Sequence, residues 1–116
     1  MKIAILTCLN SNDVCTRAGC LQAFFHRKDF FRDYGEDVEL AALMTCNGCK
    51  KERPAEPEED AGILEKIQRL TDENVEVVHV GVCRNMKENV ECPRMTRIIK
   101  MLEKEGIRIV RGTHQE

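Results

Sequence analysis

The chain reads as an α/β protein, a small parallel four-stranded sheet flanked by three helices in the order β-α-β-α-β-α-β. Three observations predict this. Four apolar runs, residues 3–8, 38–45, 75–82 and 107–110, alternate with segments of helical spacing. The first run, Ile3-Ala4-Ile5-Leu6, is apolar at successive positions, as in a parallel strand buried on both faces. Right-handed crossovers between such strands then place helices on both faces of one sheet.

The elements follow in order. Residues 3–8 are the first strand, and residues 9–15 a polar loop around Asn10-Ser11-Asn12-Asp13. Leu21, Phe24, Phe25 and Phe31 recur at helical spacing. They predict a helix from residues 16–20 to residue 34, with Gly35 just past its end. Residues 38–45 are the second strand. Residues 50–60 carry charge and proline and read as a solvated connector, so the carboxylates of residues 56–60 look like surface charge. Ile63, Leu64, Ile67 and Leu70 mark the buried face of the second helix. Residues 75–82 are the third strand, followed by a polar loop over 84–91. Pro93 suits a first helical position, with Cys92 as N-cap. Met95, Ile98, Ile99 and Leu102 supply that helix's apolar stripe, and Gly106 ends it. Residues 107–110 are the fourth strand, and Gly112-Thr113-His114 lies beyond its carboxyl end.

At 116 residues the chain has the size of one domain, read here as residues 1–116, and can bury a core without disulfides. Charged residues make up 33% and the net charge is −2, so nothing favours nucleic acid. The apolar run after Met1-Lys2 is too short for a signal segment, and nothing approaches a membrane span. The expected compartment is the cytoplasm, where disulfides are rare. Seven cysteines, an odd count, then point to metal or redox chemistry.

The positions of these cysteines are the strongest functional signal. Cys8, the pair Cys46 and Cys49, and Cys83 follow the first three strands. In a parallel sheet the strand carboxyl ends share one edge, where such folds place their sites. Neighbouring strands lie about 4.8 Å apart, so these thiols are within reach of a common ion. Cys46-Asn47-Gly48-Cys49 is a C-x-x-C turn, which lets two sulfurs approach one tetrahedral ion. Gly48 and Asn47 suit the positive φ of such a turn. Alone, the motif also fits half a cluster site or a dithiol redox centre. Cys15, Cys20 and Cys92 lie near helix starts facing the same edge. Clustered thiolates need a cation: two charges about 4 Å apart repel by roughly 4 kcal/mol at an effective dielectric near 20. The opposing reading is that free cysteines serve as small buried hydrophobes.

The histidines differ. His114 should reach the same edge as a ligand. His79 lies about 13 Å from Cys83 along the strand and reads as a satisfied core histidine. His26, beside Arg27 and Lys28, reads as solvated. Other chemistries fare poorly. No C-x5-R loop follows the first strand, since Val14 stands where the arginine would, and there is no P-loop or G-x-G-x-x-G.

So placed, the cysteines make the chain resemble the CGGC-domain family, small prokaryotic proteins regarded as metal-binding. The resemblance rests on the strand ending in Cys8, on Cys15, Gly19-Cys20 and Thr45-Cys46-Asn47-Gly48-Cys49, and on Cys83, Cys92-Pro93 and Gly112-Thr113-His114. It spans nearly the whole chain. One departure is Asn47, where the family's motif has glycine; asparagine tolerates the left-handed region better than other non-glycine residues. The resemblance implies metal binding, with zinc foremost, and supplies no substrate or reaction.

The expectation is therefore a flavodoxin-like sheet of order 2-1-3-4 with a metal site on its carboxyl edge. Cys46 and Cys49 are its core pair, and Cys8 and Cys83 complete a four-thiolate shell. Cys15, Cys20, Cys92 and His114 are further candidate ligands. Zinc suits such a shell. An iron–sulfur cluster is the alternative metal group. A thiol–disulfide redox enzyme using Cys46 and Cys49 is the alternative function. The expected partner is a metal ion, with neither nucleic acid nor membrane.

Overall fold

The computed structural model describes residues 1–49 and 55–114. Four strands, β1 (Lys2–Thr7), β2 (Glu39–Thr45), β3 (Val75–Val80) and β4 (Arg108–Arg111), form one sheet. All pairings are parallel and the order is β2-β1-β3-β4, as the flavodoxin-like topology requires. Three helices, α1 (Ala18–Phe25), α2 (Ala61–Asp72) and α3 (Pro93–Lys104), link the strands.

Alternation along β1 divides the core. Ile3 and Ile5 pack with Ala23, Phe24 and Phe31 on the α1 face. Ala4 and Leu6 pack with Ile63, Ile67, Ile98 and Leu102 on the face covered by α2 and α3. On β3, Val75 and Val78 both join the α2/α3 core. Lys2 and Ile3 pair with Val75 and Val77, so Glu76 is the extra residue of a bulge that resets the alternation.

Helices α2 and α3 follow their sequence patterns. Ile63, Ile67 and Leu70 of α2 are buried, whereas Leu64 is exposed. All four stripe residues of α3 are buried, Pro93 opens the helix, and Cys92 is its N-cap. Gly106, at φ 81°, follows the last turn of α3 as expected.

Four local expectations need correction. The first helix ends at Phe25, not residue 34, because Arg27 takes φ 53°. Lys28 N–H donates to Ala23 O at 2.8 Å and Arg27 N–H to Phe24 O at 3.2 Å, the paired bonds of a Schellman stop. The Arg27 guanidinium offsets its strained backbone by bonding Phe24 O and Gly35 O and lying over the Phe24 ring. Gly35 is therefore not the stop, and Phe31 reaches the core from a 3-10 turn, Asp29–Phe31. The polar loop after β1 contains a 3-10 helix, Leu9–Asp13. The third strand stops at Val80, since Arg84 N–H and Asn85 N–H turn back onto Gly81 O and Val82 O. Cys83 thus sits in a 3-10 turn, Val82–Arg84, just beyond the strand. Of the connector expected over residues 50–60, residues 50–54 lie outside the described residues, and the rest carries a 3-10 turn, Pro57–Glu59.

Candidate functional site

The order β2-β1-β3-β4 puts the topological switch point between β1 and β3, where this class of sheet opens a crevice at its carboxyl edge. Cys8 and Cys83 stand there, with the Cys8 N–H donating to Cys83 Sγ at 3.1 Å. The two residues that follow Cys8 hold the other pair. Leu9 N–H donates to Cys46 Sγ at 3.4 Å, and the Asn10 carboxamide to Cys49 Sγ at 2.6 Å. Three chain segments distant in sequence therefore bring Cys46, Cys49 and Cys83 onto the backbone turn that starts at Cys8.

Burial pushes the Cys8 thiol above its ordinary value of 9.0, against hydrogen bonds from the Asn10 and Ser11 backbone; negative charge at Cys46 and Cys83 pushes it further. Burial likewise raises Cys20, and its bond to Thr113 only partly offsets this. With no cation these two groups are thiols. Cys15 is exposed, Cys20 and Cys46 are buried, and Cys8, Cys49, Cys83 and Cys92 are intermediate. Among the described residues, no three His, Cys, Asp or Glu side chains converge closely enough to hold an ion as they stand.

The C-x-x-C turn has the expected backbone, with Asn47 at φ 65° and Gly48 at φ 97°. Two consecutive left-handed residues explain why glycine is the natural choice at both positions. Asn47 is fixed in place of a glycine by Lys66, whose Nζ donates to its Oδ1. Gly62, at the start of α2, leaves room for that carboxamide, since a Cβ there would lie 2.8 Å from Asn47 Nδ2.

Sequence reasoning missed the bolt behind this turn. Asp60 N-caps α2, its Oδ1 accepting from Gly62 N–H at 2.9 Å. Its Oδ2 pairs with Arg94 of α3 at 2.8 Å, and both side chains are under 10% exposed. Arg94 Nε then donates to the Cys46 carbonyl at 2.9 Å, and its Nη1 to Ala55 O at 3.0 Å. A buried ion pair thus ties the turn to both helices below it. Asp60 is not the surface charge its acidic neighbourhood suggests. An aspartate directly before an apolar helical run was the available signal.

Of the remaining candidates, Cys20, its pKa raised chiefly by burial, lies near enough to Cys83 and Cys15 for negative charge there to raise it further. Cys20 is buried, its Sγ 3.2 Å from Thr113 Oγ1. Thr113 belongs to the segment after β4, which folds onto α1: a Cβ on Gly19 would lie 2.9 Å from His114 Nε2. The motifs Gly19-Cys20 and Gly112-Thr113-His114 therefore dock on each other. Cys15 approaches Arg17, whose N–H lies 3.4 Å from its Sγ. Cys92 sends its N–H to Arg84 O at 2.8 Å and packs at the margin of the α2/α3 core, as Cys8 does.

His79 is fully buried and satisfied, as expected. Its Nδ1 lies 2.8 Å from Gly112 O, so Nδ1 carries the proton, and Nε2 accepts from Tyr34 Oη at 2.7 Å. Burial holds its pKa below the ordinary 6.5. His26 is exposed, at the C-terminal end of α1.

The chain matches the CGGC domain over residues 2–114. It is 29% identical to an uncharacterized protein of Methanocaldococcus jannaschii, over 98% of this chain and 87% of that protein. No solved structure matches. No helix among the described residues is long and apolar enough to cross a membrane.

Proposed function

The chain belongs to the CGGC-domain family, and from that premise we propose that it binds zinc through thiolates at the carboxyl edge of its sheet. The observation that carries this reading is the convergence of Cys46, Cys49 and Cys83 on the turn starting at Cys8. Four sulfur donors suit Zn²⁺, which takes four-coordinate thiolate shells. The side chains do not form a closed donor set as they stand. Loading requires the side chains to rotate toward one another. The ion would supply the positive charge that lets closely spaced thiols ionise together. Cys15, Cys20, Cys92 and His114 are the candidates for a second site.

The deciding experiment uses protein purified without oxygen and without an affinity metal. Elemental analysis and an absorption spectrum are taken on one sample. The expected result is about one zinc per chain and no visible band, lost in Cys46→Ala/Cys49→Ala. Iron with sulfide and a broad visible band would make it a cluster protein instead, since clusters also use four cysteines.

A second reading is thiol–disulfide chemistry at Cys46 and Cys49. The donors at both sulfurs, Leu9 N–H and the Asn10 carboxamide, favour it because hydrogen bonds to a thiolate stabilise the ionised form. Metal-free, folded protein that turns over a disulfide would establish this reading and remove the first.

A further inference from the structure

We propose that the cavity between β4 and residues 29–34 binds a free α-amino acid with an apolar or aromatic side chain. Its volume is about 500 Å³, within the range of small-molecule pockets. Met1 and Arg108, beside the amino ends of β1 and β4, line it, so it lies away from the thiols of the carboxyl edge. The site does not depend on metal there.

Its walls belong to one face of the sheet. Arg108 and Val110 are two residues apart on β4 and so point the same way. Val110 and Tyr34 both pack against the core on the α1 side. β4 is an edge strand, so no further strand closes the cavity at that margin.

The aromatic walls are fixed in advance. Tyr34 Oη donates to His79 Nε2 at 2.7 Å, and His79 Nδ1 donates to Gly112 O at 2.8 Å. The His79 ring lies on Phe31, with centroids 4.3 Å apart. Phe30, which also lines the cavity, donates its N–H to Thr113 O at 3.3 Å. Its ring packs on Gly112, where a Cβ would lie only 2.6 Å away. The segment after β4 thus holds both rings, and Phe30 is 48% exposed. Burying the polar atoms of His79 carries a desolvation cost. What the buried bonds secure is the wall formed by Tyr34.

Charge selects the ligand class. Arg32, Asp33 and Arg108 line the cavity, and among the described residues none of them is in an ion pair. Burial raises the Tyr34 pKa above its ordinary 10.0, and the Arg108 guanidinium, hydrogen-bonded to the hydroxyl, works against that rise. Arg108 therefore stands beside the ring on a neutral partner, and its five N–H groups leave donors for a carboxylate. Asp29 also lines the cavity and is already engaged, so Asp33 is the carboxylate that meets an ammonium. A purely anionic ligand would face both aspartates, and a purely cationic one both arginines. A ligand carrying both charges meets complementary groups, and its side chain lies against Phe30, Tyr34 and Val110.

The test is calorimetric titration of the full chain at low salt with three probes. They are L-phenylalanine, 3-phenylpropionate, which lacks the ammonium, and 2-phenylethylamine, which lacks the carboxylate. The expected result is one site for L-phenylalanine, with each analogue weaker by about tenfold or more, the loss of one charge-assisted contact. Arg108→Gln should weaken L-phenylalanine to the level of 2-phenylethylamine without weakening 2-phenylethylamine itself. Asp33→Asn should weaken L-phenylalanine but not 3-phenylpropionate. Both residues are exposed, so both variants should fold, and urea midpoints check that they do. No saturable binding of L-phenylalanine, equal affinity for either analogue, or unchanged affinity in either folded variant would overturn the proposal.

Discussion

The Asp60–Arg94 pair makes the sharpest quantitative prediction. Asp60→Ser keeps a side-chain oxygen to cap α2 but withdraws the carboxylate from Arg94. The guanidinium, only 9% exposed, is then buried with neutral partners alone. Breaking a buried pair in this way costs about 3–5 kcal/mol. Total stability for a chain of 116 residues is roughly 6–17 kcal/mol. A loss of that size should lower Tm by about 12–20 °C at roughly 4 °C per kcal/mol. Arg94→Met should cost as much, since it removes the guanidinium paired with buried Asp60 and the donor to the Cys46 and Ala55 carbonyls. The double variant is the critical measurement. It removes both charges together, so it should be more stable than the sum of the single losses implies, by about 2–3 kcal/mol. Urea unfolding followed by circular dichroism, under reductant at pH 7, gives all four corners of the cycle. A loss below about 1 kcal/mol in Asp60→Ser, or additivity within roughly 0.5 kcal/mol, would refute the idea that this pair bolts the turn to the helices.

Other consequences follow from particular residues. Asn47→Val puts a β-branched side chain at φ 65° and should destabilise by about 1–3 kcal/mol, whereas Asn47→Gly should stay within about 1 kcal/mol, both read from urea midpoints. His79 is buried neutral with a lowered pKa, so the unfolded chain takes up its proton first as pH falls. Its contribution is complete above about pH 6.5 and is lost as pH falls from there through the folded pKa. The stability difference between the parent and His79→Gln should therefore shrink between pH 7.5 and 5. Gly112→Ala should cost at least about 1 kcal/mol in thermal melts, because Gly112 has φ 149° and a Cβ there would lie 2.6 Å from the Phe30 ring. Brief alkylation read by mass spectrometry should modify exposed Cys15 first and leave Cys20 and Cys46 among the last; early labelling of Cys46 would contradict the packing of the turn.

Much of the fold follows from local patterns. The apolar run of β1, the stripes of α2 and α3, Pro93 at a helix start and Gly106 at a helix end act over a few residues. They depend on backbone geometry and periodicity, so the sequence by itself determined four parallel strands, three helices and thiols at the carboxyl edge. Where one residue's conformation outweighed periodicity, that reading failed. Phe31 keeps helical spacing with Phe24, yet Arg27 at φ 53° ends α1 before it. Other decisions belong to tertiary structure because their partners are far apart in sequence. Asp60 and Arg94 are 34 residues apart, and Arg94 and the Cys46 carbonyl 48. Its place before an apolar helical run marks Asp60 as a helix cap, but nothing local foretells its pairing with Arg94. Only when α2 and α3 pack on one face does its carboxylate lose water and require the guanidinium. The docking of Thr113 on Cys20, 93 residues away, has the same origin. Residue type and strand ends determined which thiols approach the edge; side-chain packing across the sheet decided which of them meet.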